Sequence, residues 1–183
     1  MKKLFLLPIF LLVAFSFSSC EDDDLNPLPT KVSGQFMKLD IKTREMDVSN
    51  PETAAFTGTL SNTSGDVVKY ELYVRRRTGN FLTGDYVLMQ TITSFPYELK
   101  ITPQMVATAL NVDVSDFIVD SDVFTFFAYS YDAEGNKAGY INLARILQVT
   151  ASMNQGYKFN TRITKTPLPL DAEVPYDNHQ TNP

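Results

Sequence analysis

Along residues 67–77 apolar and polar side chains take turns. Val68, Tyr70, Leu72 and Val74 fall on one side of an extended chain; Lys69, Glu71, Tyr73 and Arg75 fall on the other. A two-residue period sorts side chains this way only in a strand, and the sorting is needed where one face is buried and the other is not. Similar alternation predicts strands at residues 35–43, 53–60, 86–93, 97–101 and 123–131. Further strands are expected at 138–150 and, as a last edge strand, at 156–164. Turn-forming residues separate them: Ser49-Asn50-Pro51, the polar run 61–66, and Asp132-Ala133-Glu134-Gly135-Asn136. Thr78-Gly79-Asn80 and Thr83-Gly84-Asp85 are expected to flank a loop.

The pattern changes once. Thr102-Pro103 has the form of a helix start, with a hydroxyl to cap and a proline where the missing N–H costs nothing. A short helix over 104–110 would turn Val106, Ala109 and Leu110 inward, and Ser115-Asp116 would open a further turn through residue 119. Seven or so strands around one such insert indicate an all-β chain, an immunoglobulin-like or fibronectin-III-like β-sandwich. Residues 124–136 are the most telling part. An aromatic alternating strand runs into an Asp-x-x-Gly turn, as in the F–G hairpin of fibronectin-III modules, which would point Phe124, Phe126, Ala128 and Ser130 inward. A slip of one residue would invert every assignment.

The amino terminus carries an address. Lys2 and Lys3 precede an apolar run over residues 4–17, short for a bilayer span, which takes roughly 20 residues. Phe17-Ser18-Ser19-Cys20 resembles a bacterial lipobox. That resemblance implies a signal peptide over 1–19, lipidation of Cys20, and a tether over 20–32. An unpaired thiol, the only cysteine in the chain, is otherwise unexpected in an oxidising compartment. Glu21-Asp22-Asp23-Asp24 resembles the acidic export signal of Bacteroidota lipoproteins, which implies the outer face of the outer membrane. The folded domain is then expected at 33–165, with a tail over 166–183 that is rich in proline and polar residues.

Charge and chemistry narrow the function. Loss of Lys2 and Lys3 with the signal takes the formal charge from -5 to about -7, which argues against nucleic acid as a partner. The sole histidine, His179, lies in the tail, and Cys20 is consumed by lipid, so a nucleophile–base arrangement is poorly supplied and no enzyme is expected. No cofactor or metal is called for. Asp113, Asp116, Asp120 and Asp122 crowd one segment without the spacing of a calcium loop, and read as helix-starting and loop carboxylates. Arg75-Arg76-Arg77 reads as a solvated strand end, or as a grip for a carboxylate or a partner surface.

The string from Ile101 to Leu143, with its helical insert before the hairpin, is similar to the N-terminal domains of SusE-type surface glycan-binding lipoproteins of Bacteroidota. The resemblance implies a non-catalytic binding or accessory module, held in the outer membrane by its lipid. Its partner would be a polysaccharide or a protein of a transporter complex. The alternative is a structural protein-interaction domain that touches no sugar. The candidate binding residues are the aromatics expected on the outward sheet face: Tyr73, Phe127, Tyr129 and Tyr140. The absence of tryptophan removes the strongest sugar-stacking side chain.

Overall fold

The structure is a computed structural model and describes residues 34–168 and Leu170. The expected signal peptide, the tether with Cys20 and most of the tail lie outside the described residues. In chain order the elements are β1 (Met37–Thr43), β2 (Met46–Asp47), β3 (Phe56–Asn62), β4 (Lys69–Thr78), β5 (Phe81–Ile92) and β6 (Tyr97–Ile101). Then come helix α1 (Pro103–Leu110), β7 (Asp122–Tyr131), β8 (Lys137–Gly139), helix α2 (Arg145–Val149) and β9 (Lys158–Thr164). The chain is mostly β-sheet.

Two sheets bury one core. The smaller is antiparallel, in the order β1-β3-β6. The larger runs β2-β9-β7-β4-β5, and β8 continues beside β7 beyond the end of β9. β3, β4 and β9 alternate as half-buried strands should, whereas β7 is covered on both faces along most of its length. On β4, Tyr70, Leu72 and Val74 are sealed from solvent; on β3, Phe56 and Leu60 are. The sheets meet through a stack of three rings. Phe159 of β9 lies 5.0 Å from Phe126 of β7 and 5.1 Å from Phe56 of β3, with both pairs nearly parallel. Buried aromatics of this size dominate the energetics of a small core.

Helix α1 begins where the residues say it should. Thr102 accepts a hydrogen bond from the Met105 N–H at 3.3 Å, and Pro103 occupies the first turn. It ends at Asn111, whose φ of 54° is the left-handed cap conformation that asparagine tolerates. Its buried side chains are Val106 and Ala107, whereas Ala109 and Leu110 are only partly covered.

Four local expectations are corrected. Residues 81–85 are strand rather than loop: Gly79 and Asn80 alone make the turn, and β5 starts at Phe81. The strand expected at 138–150 stops at Gly139, then gives way to a 3-10 turn (Tyr140–Asn142) and α2. β9 is not an edge, because β2 pairs with it in parallel on its far side. Val68, expected inward, precedes β4 and is exposed.

One pole of the core is closed by polar groups. The Ser130 hydroxyl donates to Gln35 Oε1 at 2.6 Å, and the Gln35 amide donates to the Asn136 carbonyl at 2.8 Å. The Tyr157 hydroxyl sits between Ser130 Oγ at 2.8 Å and the Gln35 carbonyl at 3.0 Å. Burial pushes the Tyr157 phenol up to about 12, so it stays a hydrogen-bond donor. The network ties the start of the domain to the β7–β8 turn, where Asp132 accepts from the Asn136 backbone and side chain.

Candidate binding face

The outer side of the larger sheet is organised by register. Lys69 faces Tyr131. Glu71 faces Tyr129, which faces Gly139. Tyr73 faces Phe127, which faces Lys158. Arg75 faces Thr125, which faces Asn160. Arg77 faces Val123, which faces Arg162. Pleating puts all of these opposite the core, and directly opposed side chains on one face are in contact range. One half of the face is therefore aromatic and the other cationic.

The aromatic half brings together all four candidate residues. Tyr73 meets Tyr129 edge-on at 5.9 Å, Tyr129 meets Phe127 at 5.4 Å, and Tyr140 reaches Phe127 from the turn after β8 at 6.5 Å. Edge-to-face pairs at these distances are the favoured arrangement. A fifth ring, Tyr86 of β5, closes on Phe127 at 6.0 Å. Phe127 was expected to be exposed but is 1% accessible, roofed by Tyr86, Tyr129 and Tyr140. It is the floor of the cluster; Tyr73, Tyr129, Tyr140 and Tyr86 are its partly exposed rim. Tyr129 lies flat against Gly139, so closely that a Cβ there would come within 2.8 Å of the ring.

Glu71 ties the cluster at one side. It accepts from Lys69 at 2.9 Å, from Tyr131 at 2.9 Å and from Tyr73 at 3.0 Å. Desolvation works to raise its carboxyl, but the hydrogen bonds from Lys69, Tyr131 and Tyr73 outweigh it and hold the group below its ordinary value. Burial, and the negative charge of Glu71, push Tyr73 and Tyr131 up. Three lysines lie over rings: Lys69 over Tyr131 at 3.9 Å, Lys137 over Tyr129 at 3.4 Å and Lys158 over Tyr140 at 5.1 Å.

The cationic half is centred on Arg75, which is buried rather than solvated as a strand end would be. Its guanidinium lies 4.3 Å from the Tyr86 ring centroid. Arg76, on the other side of β4, is instead consumed structurally by Asp122 at 2.7 Å and the Asp116 carbonyl at 2.6 Å. The crowded aspartates have structural partners as well. Asp113 and Asp116 cap one turn reciprocally, Asp120 accepts from Thr164, and Asp122 accepts from Thr78 and the Ile118 N–H.

Tyr86, Arg75 and Glu71 were not recognised as one site in the sequence. The alternation on β4 and β7 places their outward residues, but Tyr86 is brought in by a bulge, for which only Gly84 gives a local hint. Comparison of the sequence with protein-family models and with curated proteins finds no match. What the face can do follows from its groups. It offers ring faces, phenol hydroxyls and cations, which hold a ligand, and no histidine or cysteine among the described residues.

Proposed function

We propose that this chain is a surface-exposed outer-membrane lipoprotein, anchored through Cys20, whose domain is a non-catalytic binding or accessory module for glycan capture or uptake. The observation that carries the reading is the single cluster of Tyr73, Tyr129, Tyr140 and Tyr86 over Phe127 on one sheet face. Aromatic faces rimmed by hydroxyls and cations suit the apolar face and hydroxyl edges of a sugar ring. We read the domain as a fibronectin-III-like sandwich. The three-stranded sheet β1-β3-β6 against β5-β4-β7-β9 supports this, with β8 and β9 as one final strand interrupted by residues 140–157. A lipid anchor would hold a weak platform near its target and raise effective concentration without added contacts.

Affinity electrophoresis of the full chain against a panel of polysaccharides tests the binding. Retardation by at least one polysaccharide, lost in Tyr129→Ala and Tyr73→Ala, is the expected result; no retardation by any removes the glycan reading. Mass spectrometry of the mature N-terminus should find acylated Cys20, and protease added to intact cells should reach the domain.

A second reading, a protein-interaction domain with no sugar contact, is favoured by a different observation. Ile141, Ile146 and Val149, all in the short segment between β8 and β9, are each about 60% exposed, and exposed apolar surface of this kind suits a protein contact. Co-purification of an outer-membrane complex in gentle detergent, abolished by Ile146→Asp while Tyr129→Ala has no effect, would favour it.

A further inference from the structure

We propose that Arg75 is the anchor for a carboxylate-bearing saccharide, a uronate, on the outer face of the larger sheet. The inference rests on the glycan-binding reading and names the class of sugar.

Arg75 is 8% exposed, and its Nε and Nη2 are buried with no hydrogen-bond partner. Those two nitrogens form one edge of the guanidinium, with their N–H bonds pointing the same way. That edge matches the two oxygens of a carboxylate in a paired, charge-assisted geometry. Among the described residues no carboxylate pairs with Arg75. The hydroxyl of Thr125, its neighbour on β7, is likewise buried and unpartnered, as is the carboxamide oxygen of Asn160 on β9. Native proteins seldom leave buried polar groups unmade without a reason, and here three residues of one cross-strand row do so.

The surroundings favour an anion attached to a ring. Lys158 lies in the adjacent row, where burial lowers its amine from the ordinary value and the nearby charge of Arg75 adds to the shift. The cover is Tyr86. Val74 pairs with Val87 and Arg76 with Thr83, so Arg75 alone stands opposite three residues of β5, Gly84, Asp85 and Tyr86. This is a bulge on an edge strand, with Gly84 at a φ of 71°, where the ladder to β4 is locally interrupted. A uronate entering there would set its carboxylate on Arg75 and its ring against Tyr86 and Tyr73. An acidic peptide would use the same fork but would leave the rim of rings without a matching flat face.

The test is calorimetric titration of the full chain in detergent with oligogalacturonate, its methyl ester and a neutral glucan of equal length. The acid form should bind at least about tenfold more tightly than the ester, with an advantage that shrinks as salt rises. Arg75→Lys keeps a cation but loses the fork and should erase the advantage; Thr125→Val keeps the shape of its site and should reduce it in part. Equal binding of acid and ester, or an unchanged preference in Arg75→Lys, overturns the inference. If the neutral glucan binds and Tyr129→Ala abolishes that binding while the acid has no advantage, the inference fails and the glycan reading stands. If no saccharide binds, both fail. Arg75-dependent binding of polyglutamate in place of oligogalacturonate overturns the inference in favour of a protein ligand.

Discussion

The two sides of β7 are both buried along much of their length, yet they are finished differently. Inward, Phe124, Phe126, Ala128 and Ser130 are fully covered, and the only side-chain polar atom among them, Ser130 Oγ, is tied to Gln35 and Tyr157. Outward, Thr125 and Phe127 are as well covered, at 1% each, but the Thr125 hydroxyl and its neighbour on Arg75 have no partner. Burial alone therefore does not separate core from site. On β7, completeness of hydrogen bonding does: its inward hydroxyl is tied into a network and its outward one is not.

The comparison can be broken most forcefully from the inside. Phe126→Ala removes β7's ring from the end of the three-ring stack and should cost about 3–5 kcal/mol in urea unfolding. An equal loss from Phe127→Ala, whose cavity opens toward a partly exposed rim, would make the two faces equivalent; a clearly smaller loss is expected. Next, Ser130→Ala leaves Gln35 and Tyr157 with an incomplete network in the dry pole and should cost about 1–3 kcal/mol. Thr125→Val, which deletes a hydroxyl that bonds to nothing, should be neutral or slightly stabilising. If both cost the same, hydrogen-bond completeness does not distinguish the faces.

A subtler probe is Gly139→Ala, whose new methyl group would collide with the Tyr129 ring. It should displace the outer rings, alter near-ultraviolet circular dichroism and weaken any glycan binding, at a stability cost of about 1–3 kcal/mol. The smallest expected effect is at Glu71. Its folded carboxyl lies below the ordinary value, so its contribution is present above the unfolded pKa and is lost as pH falls through the folded pKa. Glu71→Gln should therefore destabilise modestly at pH 7, and the gap to the native chain should narrow as the medium is acidified below the usual glutamate range. Urea midpoints for both chains from pH 7 down to pH 3 check the sign.

Much of the strand content was legible because alternation is a local property. The inward set Tyr70, Leu72 and Val74, the set Phe124 through Ser130, the Thr102 cap and the Asp132–Asn136 turn each depend on neighbours a few residues away. Errors arose where distant chain decides. Residues 79–85 carry two glycines at positive φ, which read as loop, but pairing with β4 recruits residues 81–85 into a bulged strand. Residues 145–149 have apolar character that suits a strand as well as a helix, and with β9 occupying the edge beside the first half of β7 they have no ladder to join. The candidate site shows the same division. Tyr73, Phe127 and Tyr129 follow from parity; Tyr140, expected on the hairpin's second strand, lies in the turn after it, and the burial of Phe127 comes from three rings drawn from β5, β7 and that turn.

By itself, the order of residues determined that this chain makes strands, which sides of them turn inward, and where its helix begins. Those outcomes follow from a two-residue period and from caps that act within one turn. Only the tertiary structure decided which outward residues would be covered, which strand would be an edge, and that Arg75 would be enclosed opposite a bulge with its fork unpaired. The physical reason is that strand pairing joins segments tens of residues apart, so the environment of an outward side chain is set by neighbours that local sequence does not contain.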